Sequence, residues 1–225
     1  MYEIERIIVE VVSAIACFVL VKFMAKPYQL TGETRYLFLP FGFGFLGASF
    51  VFTAISFSLE GLQTRSPVFI SWYWVELVVR AFAFLFLAMT YYFSRLEKKA
   101  KPFWNATLVV LVTVLIVLNL LMISYPQLPW SSYLMVNTYV RFFSLICLLY
   151  ISIHSLRTHI EQLEPKTLLV PLGYILLGIS AYSSLIAAID LTILPLIGAL
   201  VLRLAGLGVL LFVCFKTFYR SEPRE

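Results

Sequence analysis

Six ionisable residues of this chain stand inside stretches otherwise rich in apolar side chains. Glu76 and Arg80 lie four residues apart in SWYWVELVVRAF, a spacing that puts both on one face of a helix. Arg141 interrupts TYVRFFSLI, Arg203 interrupts ALVLRLAGL, and Glu10 sits in RIIVEVVSA. Asp190, the only aspartate, ends IAAID. Charges at such depth are costly in lipid and tend to mark function, and an arginine keeps its proton there.

Two arrangements are open. In the first, Glu10, Glu76 and Asp190 neutralise Arg80, Arg141 and Arg203, and the pairs fix helix register without adding much stability. In the second, Glu10 and Asp190 lie close enough to the interface to be solvated. Arg80, Arg141 and Arg203 then surround Glu76 in a polar cavity, where guanidinium forks would hold an anionic or carboxylate-bearing ligand. Glu76, Arg80, Arg141, Arg203 and Asp190 are therefore the candidate ligand-binding residues. Trp72, Tyr73, Trp74, Tyr133 and Tyr139 fall at the same level and are read as an interfacial aromatic belt, the alternative being a cavity mouth.

Other chemistries find less support. Gly42-Phe43-Gly44-Phe45-Leu46-Gly47 has the G-x-G-x-x-G spacing of a dinucleotide turn, but such a turn needs a βαβ unit around it. His154 and His159 share one segment and are expected at its headgroup boundary, so they cannot face each other across a haem. The last segment has no lysine before Lys216 to form a mid-span Schiff base. No Ser-His-Asp set, zinc motif or catalytic carboxylate pair can be assembled, and Cys17, Cys147 and Cys214 read as small packing residues. Neither an enzyme nor a cofactor is expected.

The elements that must position these residues are membrane helices. Of the 225 residues, 61% are hydrophobic and only 13% charged, with a mean hydropathy of +0.93; about 25% charged is usual for a water-soluble domain. Apolar runs at roughly 7–25, 36–58, 68–94, 103–124, 132–155, 167–189 and 193–217 are each long enough to cross a bilayer core of ~30 Å. The expected fold is all-α, seven spans in a single membrane domain. The start MYEIERIIVE is acidic where a cleaved signal would be basic, so the first segment is expected to be retained. The connections after spans one, three and five, together with the tail, hold 12 of the 17 Lys and Arg, whereas the opposite side has Arg6 and Arg65. This bias predicts the N-terminus outside the cell membrane and the C-terminus in the cytoplasm. The net charge of +5 then belongs to a cytoplasmic rim and not to a nucleic-acid surface.

The chain also carries an internal repeat. ETRYLFLPFGFGFLGAS at 33–49 lies without a gap over EPKTLLVPLGYILLGIS at 164–180. Pro40 meets Pro171, Gly42 meets Gly173, Gly47 meets Gly178 and Ser49 meets Ser180. The same register sets Ser13 on Ser144, and ELVVRAF at 76–82 aligns with ALVLRLA at 199–205, setting Arg80 on Arg203. The predicted plan is repeat one at 7–94, a linking helix at 103–124 and repeat two at 132–217, both triplets running in the same direction. Small residues on two faces of the repeated helix allow close packing from both sides. Pro40 and Pro171 are either matched hinges or first-turn residues of helices that begin slightly later.

Seven spans, an outer N-terminus, a short basic turn and a following helix of the type RYLFLPFGFGFLGASF resemble the membrane-embedded sensor regions of prokaryotic signalling proteins. The 3+1+3 plan is also similar to small SWEET-like transporters. The first resemblance implies a sensor or receptor-like module. Because RSEPRE follows the last span with no coiled coil or output domain, it would report through a cytoplasmic partner. The second implies a solute transporter, and a structural subunit of a larger membrane complex is a third reading. The lipid bilayer is the partner common to all three.

Overall fold

The computed structural model describes residues 2–60, 67–93, 101–124, 130–162, 168–190 and 193–219. These form α1 (Tyr2–Met24), a short α2 (Lys26–Thr31), a 3-10 turn (Thr34–Leu37), α3 (Phe38–Glu60), α4 (Pro67–Phe93), α5 (Lys101–Ser124), α6 (Trp130–Gln162), α7 (Leu169–Asp190) and α8 (Ile193–Tyr219). No strand occurs among the described residues. Seven helices are long and apolar enough to cross a bilayer, and the chain is a multi-pass helical membrane protein.

Neighbouring helices follow a closed ring: α1 packs on α3, α3 on α4, α4 on α6, α6 on α7, α7 on α8, and α8 returns to α1. Helix α5 stands outside the ring against α4 and the 3-10 turn. Its aliphatic side chains are correspondingly exposed, among them Val109, Val110, Ile116 and Leu120, which fits a helix surrounded by lipid. An aromatic cluster fixes its near side, where Trp104 is buried with Phe38, Phe86 and Phe93. Thr34 of the 3-10 turn also donates a hydrogen bond to the Asn105 side-chain carbonyl.

One core runs through the ring. Ala14, Cys17 and Leu20 from α1 meet Phe43, Leu46 and Phe50 from α3, and Leu207, Leu210 and Cys214 from α8. Spacings of three and four residues place each set on one helical stripe. Helix α2 is closed by Gly32, whose φ of +66° lets its N–H reach the Tyr28 carbonyl at 2.8 Å, the left-handed C-cap that glycine adopts at least cost.

Helices α3 and α7 are approached by their neighbours at glycines. A Cβ at Gly42 would lie 2.6 Å from Leu87 of α4, and one at Gly47 would lie 3.1 Å from Cys17 of α1. In α7 a Cβ at Gly173 would lie 2.8 Å from Leu210 of α8, and one at Gly178 would lie 4.0 Å from Leu148 of α6. Gly44, at 3.7 Å from Val21, and Gly178 make only ordinary contacts. Pro40 and Pro171 are each the third residue of their helix. First-turn prolines sacrifice N–H groups that have no α-helical acceptor, so neither stands at a mid-helix bend.

Candidate functional site

Helices α4, α6 and α8 all start at the end of the bundle that holds the N-terminus of α1. At 1.5 Å per residue, Arg80, Arg141 and Arg203 lie about 15–20 Å along them. All three line one cavity inside the ring, with a volume of about 70 Å³. A water needs ~10–15 Å³ of such space, so the cavity has room for a small cluster of waters or one compact ligand. Ser144, Ser180 and Ser184 add hydroxyls, while Leu46, Phe50, Phe84, Leu148 and Leu177 supply apolar wall.

The three guanidiniums are held differently. Arg203 reaches from α8 to Glu10 of α1, Nη2 to Oε1 at 2.9 Å, and stacks over the Phe50 ring at 4.4 Å. The pair is in ionic contact but off the hydrogen-bond direction. Arg80 pairs with Glu76 on its own helix and donates from Nη2 to Thr53 Oγ1 of α3 at 3.1 Å. Arg141 donates from Nε to Asn137 Oδ1 at 3.0 Å and from Nη1 to the Ser184 carbonyl of α7 at 3.4 Å. Among the described residues, the buried Nε groups of Arg80 and Arg203 meet no hydrogen-bond acceptor. Buried donors in that state have capacity for a further acceptor.

One sequence expectation needs correction. Glu10 is not solvated: it is 3% exposed and its partner comes from the far end of the chain. It lies only about 12 Å along α1, but α8 covers it. His154 packs against α4 within the bundle. It is buried, edge-on to Tyr91 at 5.5 Å, and Tyr91 is in turn edge-on to Tyr174 at 5.6 Å.

The aromatic belt divides. Tyr139 faces outward, Trp72 packs on Phe52, and Tyr73 and Trp74 are buried with Leu77. The side chains of Asp190 and Tyr133 lie outside the described residues. Glu76, by contrast, shares its helical face with Arg80 and is buried.

Sequence reasoning did not single out Arg6, Thr53, Asn137 or Ser184. Arg6 covers the Phe57 ring at 3.8 Å and lies within electrostatic reach of Glu10, Arg80 and Arg203. Its signal was present, because Arg6 and Glu10 are four apart on one helix. Thr53 and Ser184 had no such signal, since isolated hydroxyls are common in membrane helices.

No protein-family profile, curated protein or solved structure matches this chain.

Proposed function

We propose that this protein is a seven-span sensor or receptor-like module that binds a small anion in the half of the bundle nearest the N-terminus of α1. The reading carries with it an outer N-terminus, a cytoplasmic C-terminus and two three-helix repeats meeting around the site. The observation that supports it best is convergence: arginines from three different helices line one cavity. Guanidiniums supply several N–H donors in a fixed fork and stay charged when buried. In a low-dielectric surround such donors favour an anion strongly over a neutral solute.

The repeat is supported by matched close approaches. The registers that set Gly42 on Gly173 and Arg80 on Arg203 also set Leu87 on Leu210. Gly42 meets Leu87, and Gly173 meets Leu210. The order of helices around the ring fits the same exchange, with α1, α3 and α4 answering to α6, α7 and α8.

A transporter is the second reading, and one observation favours it. Tyr91, His154 and Tyr174 form a second buried cluster with polar groups between α4, α6 and α7 about 16 Å farther along α4.

The test is binding and flux measured on the same protein. The full chain in lipid nanodiscs should bind one of acetate, nitrate or phosphate saturably, and Arg80→Gln should weaken that binding at least tenfold. Proteoliposomes should show no uptake of the anion that binds. Uptake that Arg80→Gln abolishes would instead establish the transporter.

A further inference from the structure

The two halves of the ring differ at one matched junction, and the difference indicates what the cavity takes. The register that sets Ser13 on Ser144 also sets Glu10 on Arg141 and Thr53 on Ser184. Together with Arg80 on Arg203, it makes the α8–α1 junction the counterpart of the α4–α6 junction. At the first junction the matched positions hold Arg203 and Glu10, in ionic contact at 2.9 Å. At the second, the same two positions hold Arg80 and Arg141, and both line the cavity. A carboxylate built into the chain at one junction is thus replaced by a second guanidinium at the other.

We propose that the carboxylate of a small monocarboxylic acid occupies the α4–α6 junction, between Arg80 and Arg141, as the Glu10 carboxylate occupies the α8–α1 junction against Arg203. This rests on the anion-binding reading and on the repeat, and it names the ligand class for that site. The wall selects the rest of the molecule. Beyond the arginines and serines the cavity is lined by Phe50, Phe84, Leu148 and Leu177, which suits a short hydrocarbon body and disfavours a second charge. The chain's own analogue has the same composition, since the Glu10 carboxylate stands at the end of two methylenes. Glu76 neutralises Arg80 from within α4 and has Ala199 as its counterpart in α8, so it lies outside the exchanged pair of positions.

The variant that tests this is Arg141→Glu, which would restore at α4–α6 the residue pair found at α8–α1. The full chain in nanodiscs is titrated with butyrate, with the isosteric neutral butyramide and with phosphate. Heat denaturation of the unliganded protein is followed in parallel. Butyrate should bind at least tenfold more tightly than either butyramide or phosphate. Arg141→Glu should abolish butyrate binding while raising the unliganded melting midpoint towards that of the butyrate-saturated parent protein. Arg141→Gln should weaken butyrate binding at least tenfold without that rise, which separates loss of the seat from loss of the fold.

Phosphate binding in preference to butyrate would overturn the carboxylate assignment and leave the anion-binding reading standing. Undiminished butyrate binding by both Arg141 variants would overturn the seat. A melting midpoint lowered by Arg141→Glu would overturn the correspondence between the junctions. Tight butyrate binding with no effect on any cytoplasmic partner would support the seat and remove the sensor role alone.

Discussion

Arg203 and Glu10 join the last helix of the ring to the first, and both side chains are largely buried, at 14% and 4% exposure. Taking two charges out of water costs much of what their attraction returns, so the pair as a whole contributes little. Removing one partner is a different matter, because the other then stands charged and alone in a low-dielectric interior. Glu10→Ala should therefore destabilise the folded bundle by about 3–5 kcal/mol, read from denaturant unfolding in mixed micelles. Glu10→Ala combined with Arg203→Leu should recover most of that loss. Similar losses in the single and double variants would mean that the contact carries no coupling.

This partnership also shows where sequence reading stops at the residue scale. Glu10 and Arg203 were both visible as charges out of place, but they are separated by nearly the whole chain. Only closure of the ring brings α1 onto α8, and hydropathy does not encode helix order. Depth along a helix was equally misleading for Glu10, since a neighbouring helix can bury a residue that lies near its own helix end.

At the scale of the helices, the close approaches are set by small residues whose replacements have predictable costs. A Cβ at Gly206 of α8 would lie 2.9 Å from the Gly173 carbonyl of α7 and 3.0 Å from Leu177. One of those atoms is backbone, so the helices themselves would have to part. Two residues along α8, a Cβ at Gly208 would meet nothing within 4 Å. Gly206→Ala should cost about 1–3 kcal/mol as an overpacked contact, while Gly208→Ala should be neutral or stabilising because alanine is the better helix former. Thermal denaturation of the two variants checks this, and equal midpoints would show that α7 and α8 are not held at this separation.

The helices themselves were legible, because a run of apolar residues of membrane length has few alternatives. So was the interior placement of GFGFLG, whose glycines face α4 and α1 and stand in no βαβ turn. The ends were less so: α6 extends to Gln162, beyond the apolar run, because Arg157 and Glu161 continue the helix as an exposed ion pair at 2.9 Å. Hydropathy marks where lipid ends and not where hydrogen bonding along the backbone ends.

For the molecule as a whole, the charge distribution argues for one orientation. Lys98 and Lys99 lie between α4 and α5, Lys101 opens α5, and Arg220 and Arg224 follow α8, whereas 125–129 between α5 and α6 has no basic residue. Basic residues are retained on the cytoplasmic side during insertion. The arginine-lined cavity would then lie in the outer half of the membrane, where a ligand could reach it without crossing the bilayer. Single cysteines test this directly, because Cys17, Cys147 and Cys214 are all buried and should give little background. In intact cells a membrane-impermeant maleimide should label Gln127→Cys and leave Lys99→Cys and Pro223→Cys unlabelled until the cells are opened. The reverse pattern would turn the cavity towards the cytoplasm and make its ligand an intracellular one. Labelling of all three sites in intact cells would be incompatible with seven spans, since an odd number of crossings requires Gln127 and Pro223 to lie on opposite sides.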